Sequence, residues 1–173
     1  MAAISELKDR IDTKTLHLVL LSIVTSGIYL MMWVFRYNQV IAEITKTKIV
    51  SNAYIIWMTV CLTWYGSFMS SLFFEATSSD DQVINAALAF LFLIPLAVLQ
   101  VMWAFKVKAA LENYALMQFR IDLRMNSFYT FLFHFFYINY CINDLPEAQR
   151  KHQVLMSNFQ QGEKQNSNPS QQG

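Results

Sequence analysis

Thr130, His134, Tyr137 and Cys141 recur at intervals of four, three and four, which on a continuous α-helix puts all four side chains on one face. The run from Met125 to Asn143 carries no charged side chain, so His134 is an imidazole set deep in an apolar segment. An ionisable group at such depth is a candidate for proton relay or solute coordination. Either chemistry needs a second acid, base or ligand, and none stands at a suitable spacing. The expected role of His134 is therefore structural: a neutral ring hydrogen-bonded to Tyr137 or Thr130. A second polar series, Thr59, Thr63 and Ser67, repeats every four residues with Gly66 beside it. Small side chains on one face let helices approach closely while hydroxyls bond across the contact, so a packing seam is expected, with a solute path as the alternative.

Other chemistry finds no residues to carry it. The chain has four glycines and none forms a phosphate-binding loop; there is no Ser-His-Asp pattern and no paired His or Cys at metal-ligand spacing. Cys61 and Cys141 read as small apolar packers, not as a disulfide framework. No enzymatic activity, metal or cofactor is expected. A net charge of +1 without a clustered basic face argues against nucleic acid.

The elements that hold these residues are apolar and long. Residues 49–74 and 82–105 contain no charge, and each exceeds the roughly 20 residues needed to cross a bilayer. Two further charge-free runs, 15–35 and 125–143, flank them. A soluble bundle would need a charged stripe along every helix, which these runs deny. A cleaved signal sequence is disfavoured by the mixed charge before residue 15 and by the apolar character that resumes at Ile28. The expected fold is thus an all-α integral membrane bundle of about four embedded helices with amphipathic interfacial extensions.

The expected organisation is a polar leader over 1–14, a membrane-embedded domain over 15–145, a juxtamembrane amphipathic helix over 146–160 and a disordered tail over 161–173. Ser79 with Gln82 predicts a helix start near residue 80, and Asp144, Pro146 and Glu147 predict the start of a final helix. Tyr37, Val40, Ile41 and Ile44, and later Val107, Leu111, Tyr114 and Ala115, fall at helical spacing and extend two segments along the interface.

The connectors 36–52 and 106–126 hold seven Lys and Arg, whereas the acidic turn 75–81 holds none, which makes the connectors cytoplasmic and the turn periplasmic. Trp33 and Trp103, each followed three residues later by a cation, read as interfacial anchors. Four full crossings are expected, which places the other six cations outside. The alternative is that the first and last segments enter and return, leaving all thirteen cations on one side.

The stretch Leu20-Leu21-Ser22-Ile23-Val24-Thr25-Ser26-Gly27-Ile28-Tyr29, with Trp33, Arg36, Tyr37 and Asn38, resembles the opening of a bacterial family of small membrane proteins known as domain of unknown function 4234. Tyr137, Tyr140, Asn143 and Leu145 resemble its ending; Ser26 and Leu30 depart from its pattern. The resemblance implies a multi-pass bacterial inner-membrane protein with Thr25, Gly27, Tyr29 and Trp33 as signature positions of unassigned role. Physically, a Thr hydroxyl that bonds back one turn and a glycine beside it soften a helix and open a close contact. A non-enzymatic membrane or assembly component is expected, with the lipid bilayer as partner and a homo-oligomer or another membrane protein beside it; a small oligomeric channel or carrier is the alternative.

Overall fold

The computed structural model describes residues 5–74 and 78–166. Among them the regular structure is six helices: α1 (Ser5–Ile11), α2 (Thr15–Val24), α3 (Ile28–Thr45), α4 (Asn52–Phe74), α5 (Ser79–Phe119) and α6 (Ser127–Asn166). Glu75 to Thr77 of the acidic turn, and the last seven residues of the expected tail, lie outside the described residues.

Two helices, α4 and α5, are long and apolar enough to cross a membrane. At 23 and 41 residues they measure about 35 and 60 Å. They form an antiparallel pair. The Tyr54 hydroxyl donates to the Leu99 carbonyl at 2.6 Å, and farther along Trp64, Phe68 and Phe92 stack at centroid separations of 5.7 to 6.0 Å. The start of α5 is capped one residue earlier than the sequence suggests. Ser78, not Ser79, accepts from the Asp81 amide, and its hydroxyl also bonds the Asp81 carboxylate.

The first and last apolar segments are not single spanning helices. The first is broken at residues 25–27, where Ser26 and Gly27 take φ of +50° and +87°. The arms on either side fold back on each other: the Thr13 hydroxyl lies 3.5 Å from the Tyr37 hydroxyl, although 24 residues separate them. Arg10 meets Glu43 in the same way at 3.3 Å. The last segment is broken at His134, whose φ of 36° and ψ of −106° divide α6 into a short arm, 127–133, and a long arm, 135–166. Here too the chain reverses, because the Asn126 amide donates to the Tyr137 hydroxyl at 2.9 Å and the Tyr129 and Tyr137 rings lie 5.8 Å apart. Among the described residues there are thus two helices of membrane-crossing length, where about four embedded helices were expected, and the first and last apolar segments form helical hairpins beside them.

The long arm passes through Pro146 without ending, so no separate helix begins there. The loss of one backbone donor is tolerated because Ile142 and Leu145, in the turn just before it, are locked into the core. Most of that core gathers at the open end of the hairpins. Leu7 and Ile11 of α1, Val34 and Ile41 of α3, Val107 and Leu111 of α5, and Ile138 and Ile142 of α6 are all buried there. The leader is therefore part of the packed structure, through an apolar i, i+4 pair set among its charges.

Candidate functional site

The two reversals are where sequence chemistry and geometry coincide. At the first, Thr25 serves both arms: its hydroxyl donates to the Leu21 carbonyl of α2 at 2.7 Å and accepts from the Tyr29 amide of α3 at 3.0 Å. One side chain thus satisfies an orphan donor at the start of α3 and adds a second bond to a Leu21 carbonyl that already accepts from the Thr25 amide. Gly27 supplies the left-handed backbone that the reversal requires, and a Cβ placed there would lie 3.4 Å from a Leu62 methyl of α4. The signature positions Thr25 and Gly27 therefore build a turn and seat it on the middle of α4.

Trp33 does not sit at an interface. It is buried against Tyr37, at 5.3 Å between ring centroids, and edge-on to Trp103 at 6.3 Å. Trp103 is fully buried as well; its ring packs tilted against Phe135, at 4.9 Å between centroids, and it donates from Nε1 to the Asn38 side chain at 3.2 Å. The expected anchors are core residues, because the amphipathic ends of α3 and α5 pack on each other and on α6. Asn38, placed by periodicity on a polar face, is buried and tied to Val50 and Trp103.

At the second reversal, Thr130 and His134 lie before and at the break, so they do not share one continuous face with Tyr137 and Cys141. Thr130 is buried and bonds back to the Asn126 carbonyl, and Tyr137 is taken up by the Asn126 amide. Among the described residues no hydrogen bond to His134 is formed. Its ring lines an apolar groove of about 430 Å³ with Ala97, Val98, Val101, Met102, Phe131 and Leu132. The expected His134–Tyr137 or His134–Thr130 bond is absent because the backbone turns where the helix would have aligned them.

The Thr59, Thr63, Gly66 and Ser67 face points outward instead of packing against α5. Its hydroxyls bond within α4, Thr59 to Ile55 and Thr63 to Thr59, and a Cβ on Gly66 would meet nothing within 4 Å. Thr59, Thr63 and Gly66 line an outer groove of about 690 Å³ between α3 and α4, separate from the groove at His134. α4 meets its neighbours instead through Ile55, Met58 and Cys61, all buried. Accordingly, Gly27→Val is expected to lower stability by about 1–3 kcal/mol, since a β-branched residue resists positive φ. Gly66→Leu should stay within about 0.5 kcal/mol. Thermal unfolding of both variants in detergent checks this, and equal losses would count against the geometry.

Sequence reasoning missed the clamp that closes the hairpins. Asn139, fully buried, donates from Nδ2 to the Thr13 carbonyl at 2.9 Å and to the Thr15 hydroxyl at 3.1 Å, and Asn143 donates to the same carbonyl at 3.0 Å. The base of the α2–α3 hairpin is thereby fastened to the long arm of α6 across more than 120 residues of sequence. The i, i+4 spacing of the two asparagines was the available signal. A comparable clamp holds the connector before α6, where Glu112 accepts from the Met125 amide at 2.9 Å and Lys108 bonds Ser127 at 2.6 Å.

Among the described residues no group of three His, Cys, Asp or Glu could hold a metal ion. No known protein family, curated protein or solved structure matches the chain.

Proposed function

We propose that the chain is a non-enzymatic component of a bacterial inner membrane, in which α4 and α5 cross the bilayer and the two hairpins enter and leave from the cytoplasmic side. The observation that carries this is the common direction of the reversals. Both hairpins open toward the end of the α4–α5 pair where Arg36, Lys46, Lys106 and Lys108 lie, and both stop partway along it, against Leu62 and beside Ala97–Met102. All thirteen Lys and Arg then fall on one side, while the far turn bears only acidic residues, a strong bias under the positive-inside rule. The outer surface of the hairpins suits lipid: Leu16, Leu20, Ile23, Val24, Ile28 and Met32 of the first, and Phe128, Phe131, Leu132 and Phe133 of the second, are exposed. The irregular backbone of the first turn rests on Leu62 of α4 at Gly27, and its amides are paired within the turn, Ser26 with Ile23, Gly27 with Ser22 and Ile28 with Thr25, so it carries few unsatisfied groups to depth. With no acid–base pair and with His134 and the Thr/Ser face on separate grooves, a structural role is favoured over a solute path.

Site-specific thiol labelling from each side tests the placement. Thr47 and Ser157 are expected to react from the cytoplasmic side and Ser78 from the other. Reaction of Ser157 together with Ser78 would restore four full crossings and refute the hairpin arrangement.

A further inference from the structure

We infer that the fold is a wedge that favours, and at high density imposes, membrane curvature with its basic side on the convex face. The inference rests on the membrane placement proposed above. In the basic half of the hydrocarbon four helical segments lie side by side, the two arms of the first hairpin together with α4 and α5, and the second hairpin packs at its edge. Gly27 touches Leu62, ten residues past the first residue of α4. That is about 15 Å, or half of a hydrocarbon core roughly 30 Å thick. The second turn stops at the level of Met102, nearer the basic end still. Beyond these tips only α4 and α5 continue, held to each other by the Trp64–Phe92 stack.

Each helix with its side chains is about 10–12 Å across, so the protein occupies about twice as much area in one leaflet as in the other. A flat bilayer gives both leaflets equal area. The excess on the basic side is relieved when that leaflet is stretched, as it is on the outside of a narrow tube, just as half-depth amphipathic segments bind in a curvature-sensitive way. Flexing of the hairpins does not relieve it, because their bases are fastened by Asn139 and Asn143 to Thr13.

The experiment uses the full chain, fluorescently labelled and reconstituted into giant vesicles of phosphatidylcholine and phosphatidylglycerol, from which narrow tubes are pulled. Orientation is assigned by protease access to the long arm of α6. Molecules with the basic side outward should be enriched several-fold on the tube relative to lipid, and molecules with it inward should be depleted. Ile23→Asp with Val24→Asp, which draws the exposed first tip out of the hydrocarbon, should shrink the contrast. Equal density on tube and vesicle in both orientations would overturn the wedge. A separate reading comes from a label at Val24→Cys, with Cys61→Ala and Cys141→Ala, against lipids brominated at mid-chain. Strong quenching with no sorting removes the wedge and leaves the placement standing, whereas no quenching removes the placement and the wedge together.

Discussion

Replacing Trp103 with alanine is expected to lower stability by about 3–5 kcal/mol, the range for truncating a large aromatic ring in a packed core. The ring is fully buried and touches two other elements at once: α3, through Trp33 edge-on and Asn38 at the indole N–H, and α6, through Phe135 at 4.9 Å. Its loss opens a void where the long pair meets both hairpins. Trp103→Phe keeps most of the packing but leaves the Asn38 oxygen without its donor, which should cost about 1–3 kcal/mol. Trp57 is the control: on α4, 65% exposed, it should tolerate alanine within about 0.5 kcal/mol. Denaturant unfolding in detergent, followed by far-ultraviolet circular dichroism, ranks the three. Equal losses at Trp57 and Trp103 would place the core elsewhere.

The charge-free runs made the long helices legible, because a stretch such as 82–105 admits few alternatives to a buried or lipid-facing helix. The extensions were legible as well: Tyr37, Ile41, Val107 and Leu111 bury the faces that their spacing assigns. The Thr25–Gly27 signature pointed to a softened helix with a close neighbour. The structure carries this further, to a full reversal seated on Leu62. Periodicity alone cannot separate a kink from a reversal, since both leave the same residues on the same faces of each arm.

A reversal of the last segment was legible only as the alternative to a full crossing, and its position at His134 was not. One residue with φ of 36° undoes a face that four residues define, and histidine is no turn former by composition. That backbone costs about 1–3 kcal/mol and persists only because the surroundings over-determine it; here the Asn126–Tyr137 bond and the Trp103–Phe135 contact fix the arms on either side. The outward turn of Thr59 and Thr63 has a related cause. Every polar atom on that face can be satisfied within α4, so small size and hydroxyls do not by themselves demand a partner. Trp33 and Trp103 were assigned to an interface by the cations that follow them, but both rings are buried among α3, α5 and α6 while Arg36 and Lys106 stay exposed.

Asn139→Asp should destabilise the fold by about 3–5 kcal/mol at neutral pH, comparable to leaving a buried charge without a partner. The amide of Asn139 gives both its hydrogen bonds to acceptors of the opposing hairpin, the Thr13 carbonyl and the Thr15 hydroxyl, while its own oxygen is buried without a partner. A carboxylate turns the donor into a second acceptor facing the Thr13 carbonyl. Only protonation restores a donor there. Burial raises the folded-state pKa of such a carboxyl above its unfolded value of about 3.9. By linkage, the variant keeps its stability below that value and loses it progressively as pH rises through the folded-state pKa. The wild type, with an amide at this position, should not show that loss. Asn139→Leu, which removes the orphan acceptor along with the donor and buries no charge, should be milder and independent of pH. Unfolding profiles of the three proteins from pH 3 to 8, with proteolysis of residues 5–14 as a local reporter, decide the matter. A flat profile for Asn139→Asp would mean that this position meets water, and that the hairpins are not closed by the clamp.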